Sequence, residues 1–226
     1  MFPEPCVGCS HERVSNRDQL CARCRSALRS WSSVRVCSLC GIPVPQFVSR
    51  CARCRKADFA FDWVRPLFPY EGVPANLIRS FKFAGRQQVA HVICLHIAEL
   101  LDTLSSEGWL EAPIVPVPSS RRGTRVRGFE SADVLASTLA ASHSRPVWRP
   151  LTHRGAKSQK KLDFEGRFAH ASHAIQPRRK IGVVPRRAIL VDDVFTTGAT
   201  LSRCAAILKA LGSVEVGAVV FVMEEE

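Results

Sequence analysis

From residue 59 onward the apolar residues of this chain fall into two alternating rhythms. Short apolar runs recur at Phe59–Tyr70, Ile114–Pro118, Val147–Leu151, Ala188–Val191 and Val214–Val222, and each predicts a strand. Between them the apolar residues take helical spacing. Pro74 opens a helix through Leu77, Ile78 and Phe81, and Gly85 breaks it. A second helix from about Gln87 to Leu104 buries Val89, Val92, Ile93, Ile97, Leu100 and Leu101. A third over Glu130–Ala141 uses Val134, Leu135 and Leu139, and a fourth uses Leu201, Ala205, Leu208 and Leu211 and closes at Gly212. This alternation predicts an α/β fold, a mainly parallel sheet with helices on both faces. Such sheets bind ligands at the carboxyl ends of their strands, so the loops after Val117, Leu151 and Val191 are expected to converge on one edge.

The first 58 residues show neither rhythm and are organised by cysteine. Eight of the ten cysteines form four Cys-x-x-Cys pairs: Cys6/Cys9, Cys21/Cys24, Cys37/Cys40 and Cys51/Cys54. Two thiolates on one tight knuckle chelate a tetrahedral metal, and two knuckles complete a four-sulfur site. Four pairs therefore call for two structural Zn²⁺ ions. Separations of 11 and 10 residues favour sequential grouping, Cys6, Cys9, Cys21 and Cys24 on one ion and Cys37, Cys40, Cys51 and Cys54 on the other; a crossed grouping is the alternative. Disulfides would require an oxidising compartment, and no export leader is visible, so a cytoplasmic location is expected. Cys94 and Cys204 fall in helical patterns and read as buried, inert thiols. The boundaries expected are a zinc module over 1–58 and an α/β domain over 59–226, with no flexible spacer between them.

The densest chemistry lies at Ala188-Ile-Leu-Val-Asp192-Asp193-Val-Phe-Thr196-Thr197-Gly198-Ala199-Thr200. An apolar strand runs into two adjacent carboxylates, a hydroxyl-rich loop and a helix start. Free backbone N–H groups and the helix dipole make such a point an anion site. Gly198 lets the backbone approach a phosphate closely. Asp192 and Asp193 are placed to accept hydrogen bonds from sugar hydroxyls or to hold a metal's water shell. The plain structural alternative is a strand–turn–helix whose hydroxyls only cap the helix.

Charge adds a preference for anionic ligands. The 226 residues carry a formal +12, from 32 Lys/Arg and 20 Asp/Glu. Residues 121–130 hold four Arg against one Glu, and residues 154–187 hold ten Lys/Arg against two acids; both read as loops. Residues 1–65 are formally +6, which two four-thiolate zinc sites would reduce to about +2. No apolar run is long enough to cross a bilayer, so no membrane insertion is expected. Lys82, Arg127, Arg154 and Gln159 are further candidates for ligand contact, with a solvated side chain as the ordinary alternative at Lys82. The basic segments hold few aromatics, Phe129, Phe164 and Phe168, which argues against tightly stacked nucleic acid.

The Asp192–Thr200 segment resembles the phosphoribosyl-pyrophosphate (PRPP) signature of type I phosphoribosyltransferases, with Phe195 where the pattern has a smaller aliphatic residue. The resemblance implies that Asp192 and Asp193 hold the ribose hydroxyls and that Thr196, Thr197, Gly198, Ala199 and Thr200 wrap the 5′-phosphate. It also implies that Pro118, Ser119, Ser120 and Arg121 form the pyrophosphate loop and that Mg²⁺ arrives with PRPP. The four cysteine pairs, Phe81-Lys82-Phe83, Val115-Pro116-Val117-Pro118, Arg127-Gly128-Phe129, Arg154…Gln159…Leu162…Arg167 and the acidic loop together resemble the ComF proteins. The likeness departs at Glu130-Ser131, where that family commonly has Asn-Gln. It implies a type I phosphoribosyltransferase-like domain behind a zinc-ribbon module and a role in competence, DNA uptake or nucleotide metabolism. If active, such a protein transfers phosphoribosyl with loss of pyrophosphate. Single-stranded DNA and a helicase-like competence partner are the implied partners. A non-catalytic DNA-binding adaptor and a PRPP-sensing regulator are the alternatives; the acceptor stays open.

Overall fold

Both apolar rhythms appear in the computed structural model, which describes residues 4–14, 19–28, 35–83, 86–154 and 174–224. The N-terminal part consists of two small ribbons. The first carries the strand pair β1 (Glu4–Pro5) and β2 (Arg13–Val14) and the short helix α1 (Ala22–Ala27); the second ends in α2 (Ala52–Lys56). Then follow β3 (Trp63–Pro69), α3 (Gly72–Phe83), α4 (Val89–Leu104), β4 (Ile114–Pro116), α5 (Arg121–Arg127), α6 (Ser131–His143), β5 (Leu151–His153), β6 (Ile175–Pro177), β7 (Arg187–Phe195), α7 (Ala199–Leu211) and β8 (Glu215–Met223).

The central sheet has the order β3-β8-β7-β4, all parallel. Its middle strands are buried on both faces, as their unbroken apolar runs require. Successive side chains of β7 alternate between two cores. Ile189 and Val191 join Leu77, Phe81, Ile93 and Leu135 of α3, α4 and α6. Ala188 and Leu190 join Leu201, Cys204, Ala205 and Leu208 of α7. Helices therefore cover both faces. Each ribbon docks on a different face: Cys6, Val7 and Leu20 belong to the first core, and Cys37, Leu39 and Cys51 to the second. Close packing extends to Gly217, paired with Trp63 across β3 and β8, where a Cβ would overlap the indole ring. Among the described residues no helix is long and apolar enough to cross a membrane.

Two sequence expectations are corrected. Val147–Leu151 is not a strand of the parallel sheet. Val147 makes one isolated bridge to Ile114, and β5 leaves to pair antiparallel with β6. Pro146 and Pro150 flank the stretch and supply no N–H for a ladder, so the segment cannot continue along the sheet edge. The basic stretch at 121–130, read as a loop, contains a two-turn helix, α5, capped by Ser120 Oγ accepting from the Gly123 N–H at 3.1 Å and ended by Gly128 at φ 81°. Its apolar content is a single exposed valine, Val126, so helical periodicity had nothing to mark it.

Candidate functional site

The four cysteine pairs form two clusters. The sulfurs of Cys6, Cys9, Cys21 and Cys24 lie within 4.8 Å of one another, and so do those of Cys37, Cys40, Cys51 and Cys54. The grouping is sequential, as the spacing favoured. Both knuckles repeat one geometry, with Cys21 and Cys51 capping α1 and α2 through Sγ acceptors for the Cys24 and Cys54 N–H groups, each at 3.4 Å. Further N–H groups point at sulfur, Cys21 to Cys6 at 3.3 Å and Cys51 to Cys37 at 3.4 Å. Such bonds favour thiolate. Backbone donors from Glu12 and His11 hold the Cys9 thiol at about 6. Four convergent soft donors, with N–H groups directed at them, fit tetrahedral zinc and supply a fold-holding rather than an open catalytic site. Cys94 and Cys204 are buried apart from both clusters, and burial raises each thiol, Cys94 to about 12. Their inert reading stands.

The expected phosphate loop sits between β7 and α7. Gly198 occupies the helix cap at φ 82° and provides no side-chain cap, so the α7 N-terminus keeps donors turned outward. A Cβ at Gly198 would lie 3.0 Å from Phe59 Cε1 and 3.3 Å from the Phe195 ring, so the loop has no room for a larger residue. Thr197 is buried and its Oγ1 accepts from the Ala199 N–H at 3.4 Å; Thr200 is exposed. The Thr197 hydroxyl thus meets the first N–H of the helix, by a long contact, while the cap residue itself supplies no side-chain bond.

Beside the loop lie the two carboxylates, both still within β7 rather than beyond it. Asp192 Oδ1 accepts from the Asp193 N–H at 2.8 Å. Asp193 is 5% exposed and pairs with Lys82, Nζ to Oδ1, at 2.7 Å. The solvated alternative for Lys82 is thereby overturned: α3 delivers it from its last turn, where the helix dipole favours a cation. The three segments Phe81-Lys82-Phe83, Arg127-Gly128-Phe129 and Asp192-Asp193 thus meet. Phe81 and Phe129 pack with ring centres 5.2 Å apart, and Arg127 lies close enough to act on Asp192 electrostatically. Phe129 is 9% exposed and so unavailable for base stacking; Phe164 and Phe168 lie outside the described residues.

Burial, and then the neighbouring Asp193 carboxylate, raise Asp192 from 3.8 to about 7, against the opposing pull of Lys82 and Arg127. Because the folded value is the higher one, the folded chain holds a proton that the unfolded chain has released between about pH 4 and 7. The stability this contributes is full below about pH 4 and is lost as pH rises through about 7. Melting temperatures taken from pH 5.5 to 8 are therefore expected to fall faster with pH in the wild type than in Asp192→Asn. Parallel curves would show that Asp192 is ionised throughout.

Of the pyrophosphate candidates, Pro118, Ser119 and Arg121 line an open cleft of about 400 Å³. Arg125 and Glu130 line it with them, together with His153 of β5 and Arg178, the residue after β6. Ser119 Oγ accepts from Arg127 at 3.2 Å, whereas Ser120 is engaged as the α5 cap. Thr124 lines the cleft, and its Oγ1 is a buried polar atom without a hydrogen-bond partner in the protein. Arg154 is exposed on the hairpin and outside the cleft lining; Gln159 lies outside the described residues. Sequence reasoning missed Arg178 and His153, because only the nonlocal β5–β6 pairing brings them to α5. It also missed Arg53, whose NH1 donates to the Thr196 carbonyl at 2.6 Å. Arg53 lies between two metal ligands, and nothing in that position signals a loop contact.

The Double zinc ribbon domain family matches residues 1–56. Over most of its length the chain is similar to Competence protein F of Haemophilus influenzae, 26% identical over 218 residues and 93% of each chain. It is similar also to the DNA utilization protein YhgH of Salmonella typhimurium, 30% identical over 206 residues and 87% of each chain. Among solved structures, orotate phosphoribosyltransferase from Aeropyrum pernix superposes with a TM-score of 0.35 at 21% identity, covering 62% of this chain and 63% of that one.

Proposed function

Because the chain belongs to the competence protein F (ComF/YhgH) family, we propose that it binds PRPP with Mg²⁺ between the α7 N-terminus and the cleft beside α5. The observation that carries this reading is the juxtaposition of a glycine-led helix start, without a side chain at its cap, with two adjacent aspartates, of which Asp193 is paired with Lys82. A phosphate group fits the first and a vicinal diol fits the second. In this reading Asp192 and Asp193 take the ribose hydroxyls and the amides and hydroxyls of Thr196–Thr200 take the 5′-phosphate. Ser119, Arg121, Arg125 and Arg127 face the diphosphate. The acceptor's lone pair forms the new bond at C1′ while the C1′–O bond breaks, and its electrons leave with pyrophosphate. The chain's contribution is positioning and neutralisation of the departing charge.

The relatives' names, a competence protein and a DNA utilization protein, support a DNA-related setting; within it we propose a cytoplasmic role in the handling of incoming single-stranded DNA with a helicase-like partner. Residues 1–58 act as its zinc module and 59–226 as its phosphoribosyltransferase-like domain. The test is incubation with PRPP, Mg²⁺ and a panel of bases and nucleic acids. Pyrophosphate release that depends on one acceptor is the expected result. PRPP-induced stabilisation without release would make the protein a PRPP sensor, and no response to millimolar PRPP would overturn the binding reading.

A further inference from the structure

The tetrapeptide Cys-Ala-Arg-Cys occurs twice, at 21–24 and 51–54. Both copies build the same cysteine-capped turn, α1 and α2. Their arginines have different surroundings. Arg23 is exposed. Arg53 is half-buried, its guanidinium 2.6 Å from the Thr196 carbonyl oxygen and 5.9 Å from the centre of the Phe195 ring. The same repeat unit thus leaves its arginine exposed in the first ribbon and, in the second, reaches the loop that follows β7.

The contact bears on ligand geometry. In a planar trans peptide the C=O and the following N–H point in opposite directions. Holding the Thr196 carbonyl toward the ribbon therefore turns the Thr197 N–H away from it. Residues just beyond α2 brace the rest of the loop: Phe59 packs on Gly198, and the Ala60 N–H donates to Ser202 Oγ of α7 at 3.0 Å. α2 is only five residues long and its cap is the Cys51 sulfur. A helix of that length has no stability of its own, so the position of Arg53 is set by the knuckle that binds zinc.

We propose that the second zinc ribbon, through Arg53, is a positioning element for the Thr196–Thr200 loop, so that zinc at Cys37, Cys40, Cys51 and Cys54 maintains the anion-binding shape of that loop. The ligand named for the loop rests on the PRPP reading; the coupling does not. The test uses the full zinc-loaded chain as wild type, Arg53→Ala, Arg53→Lys and, as the matched control, Arg23→Ala, each verified to retain two zinc ions. Amide hydrogen exchange is followed in peptides spanning residues 195–201 without ligand. Loss of a hydrogen bond from a charged donor is expected to speed exchange there roughly tenfold or more in Arg53→Ala, with no change in Arg23→Ala. Arg53→Lys, which keeps the charge, should restore part of the protection. Calorimetric PRPP affinity should fall in the same order. Equal exchange in all four proteins overturns the coupling, whatever PRPP does. A wild type that ignores PRPP while Arg53→Ala exchanges faster overturns only the ligand reading and leaves the coupling supported.

Discussion

Replacing Cys37 by serine is expected to reduce the zinc content from two ions to one and to lower the melting temperature by roughly 10 °C or more. The size follows from the ribbons themselves. A structural four-thiolate site contributes about 10–16 kcal/mol of apparent binding free energy, which in so small a module is folding free energy. All four ligands of the second site are buried, and their cluster continues through Phe59 and Phe61 into the core on the α7 face of the sheet. Loss of that ion therefore exposes one side of the main domain as well as the ribbon. In the first site Cys9 is half-exposed. The matching change, Cys9→Ser, should cost less, and its ion should be the first released to a chelator. Zinc analysis, thermal melts and the two phases of chelator uptake measure all three. Equal loss of stability for the two variants, or release in one phase, would contradict the burial argument.

The first ribbon contributes on the opposite side of the site. Asn76 Nδ2 donates to the Gly8 carbonyl at 2.9 Å and Ser80 Oγ to the Val7 carbonyl at 3.4 Å. Both side chains belong to α3, the helix that carries Lys82. One ribbon thus steadies the cation and the other steadies the loop. This arrangement gives the zinc module a mechanical role that its reduced net charge, about +2 after metallation, would not suggest.

What could be read from sequence was what is local. The strand, acid pair, small loop and helix at 188–211 are contiguous, so their order alone located β7, the loop and α7. The cysteine grouping was legible because the spacing is short. The helix α5 was not, since Gly123 and four arginines with one exposed valine leave no apolar stripe. The ion pair of Lys82 and Asp193 joins residues 111 positions apart, and Arg53 meets Thr196 across 143. Such contacts are set by how the sheet orders its strands, β3 beside β8 and β8 beside β7. Periodicity specifies that these strands exist and does not specify their neighbours.

The same ion pair yields the second large effect. Asp193→Asn is expected to abolish stabilisation by PRPP and Mg²⁺ and to lower the stability of the ligand-free protein. The pair is nearly dry, with side-chain exposures of 18% at Lys82 and 7% at Asp193. Breaking a buried pair by neutralising one partner costs about 3–5 kcal/mol, because the other charge is left uncompensated. Adding Lys82→Met removes that charge, so the double variant should regain part of the loss, and the difference between the cycle and the single changes measures the coupling. Ligand separates structural from binding roles. At a hundredfold excess over Kd a bound ligand contributes about 2.7 kcal/mol, or about 5–10 °C in a chain of this size. The wild type should show that shift and the double variant should not, although the double variant is the better folded of the two mutants. A double variant that regains both stability and the PRPP shift would leave Asp193 as no more than the partner of Lys82 and would move the proposed diol contact to Asp192, the neighbouring carboxyl on which Arg127 acts electrostatically.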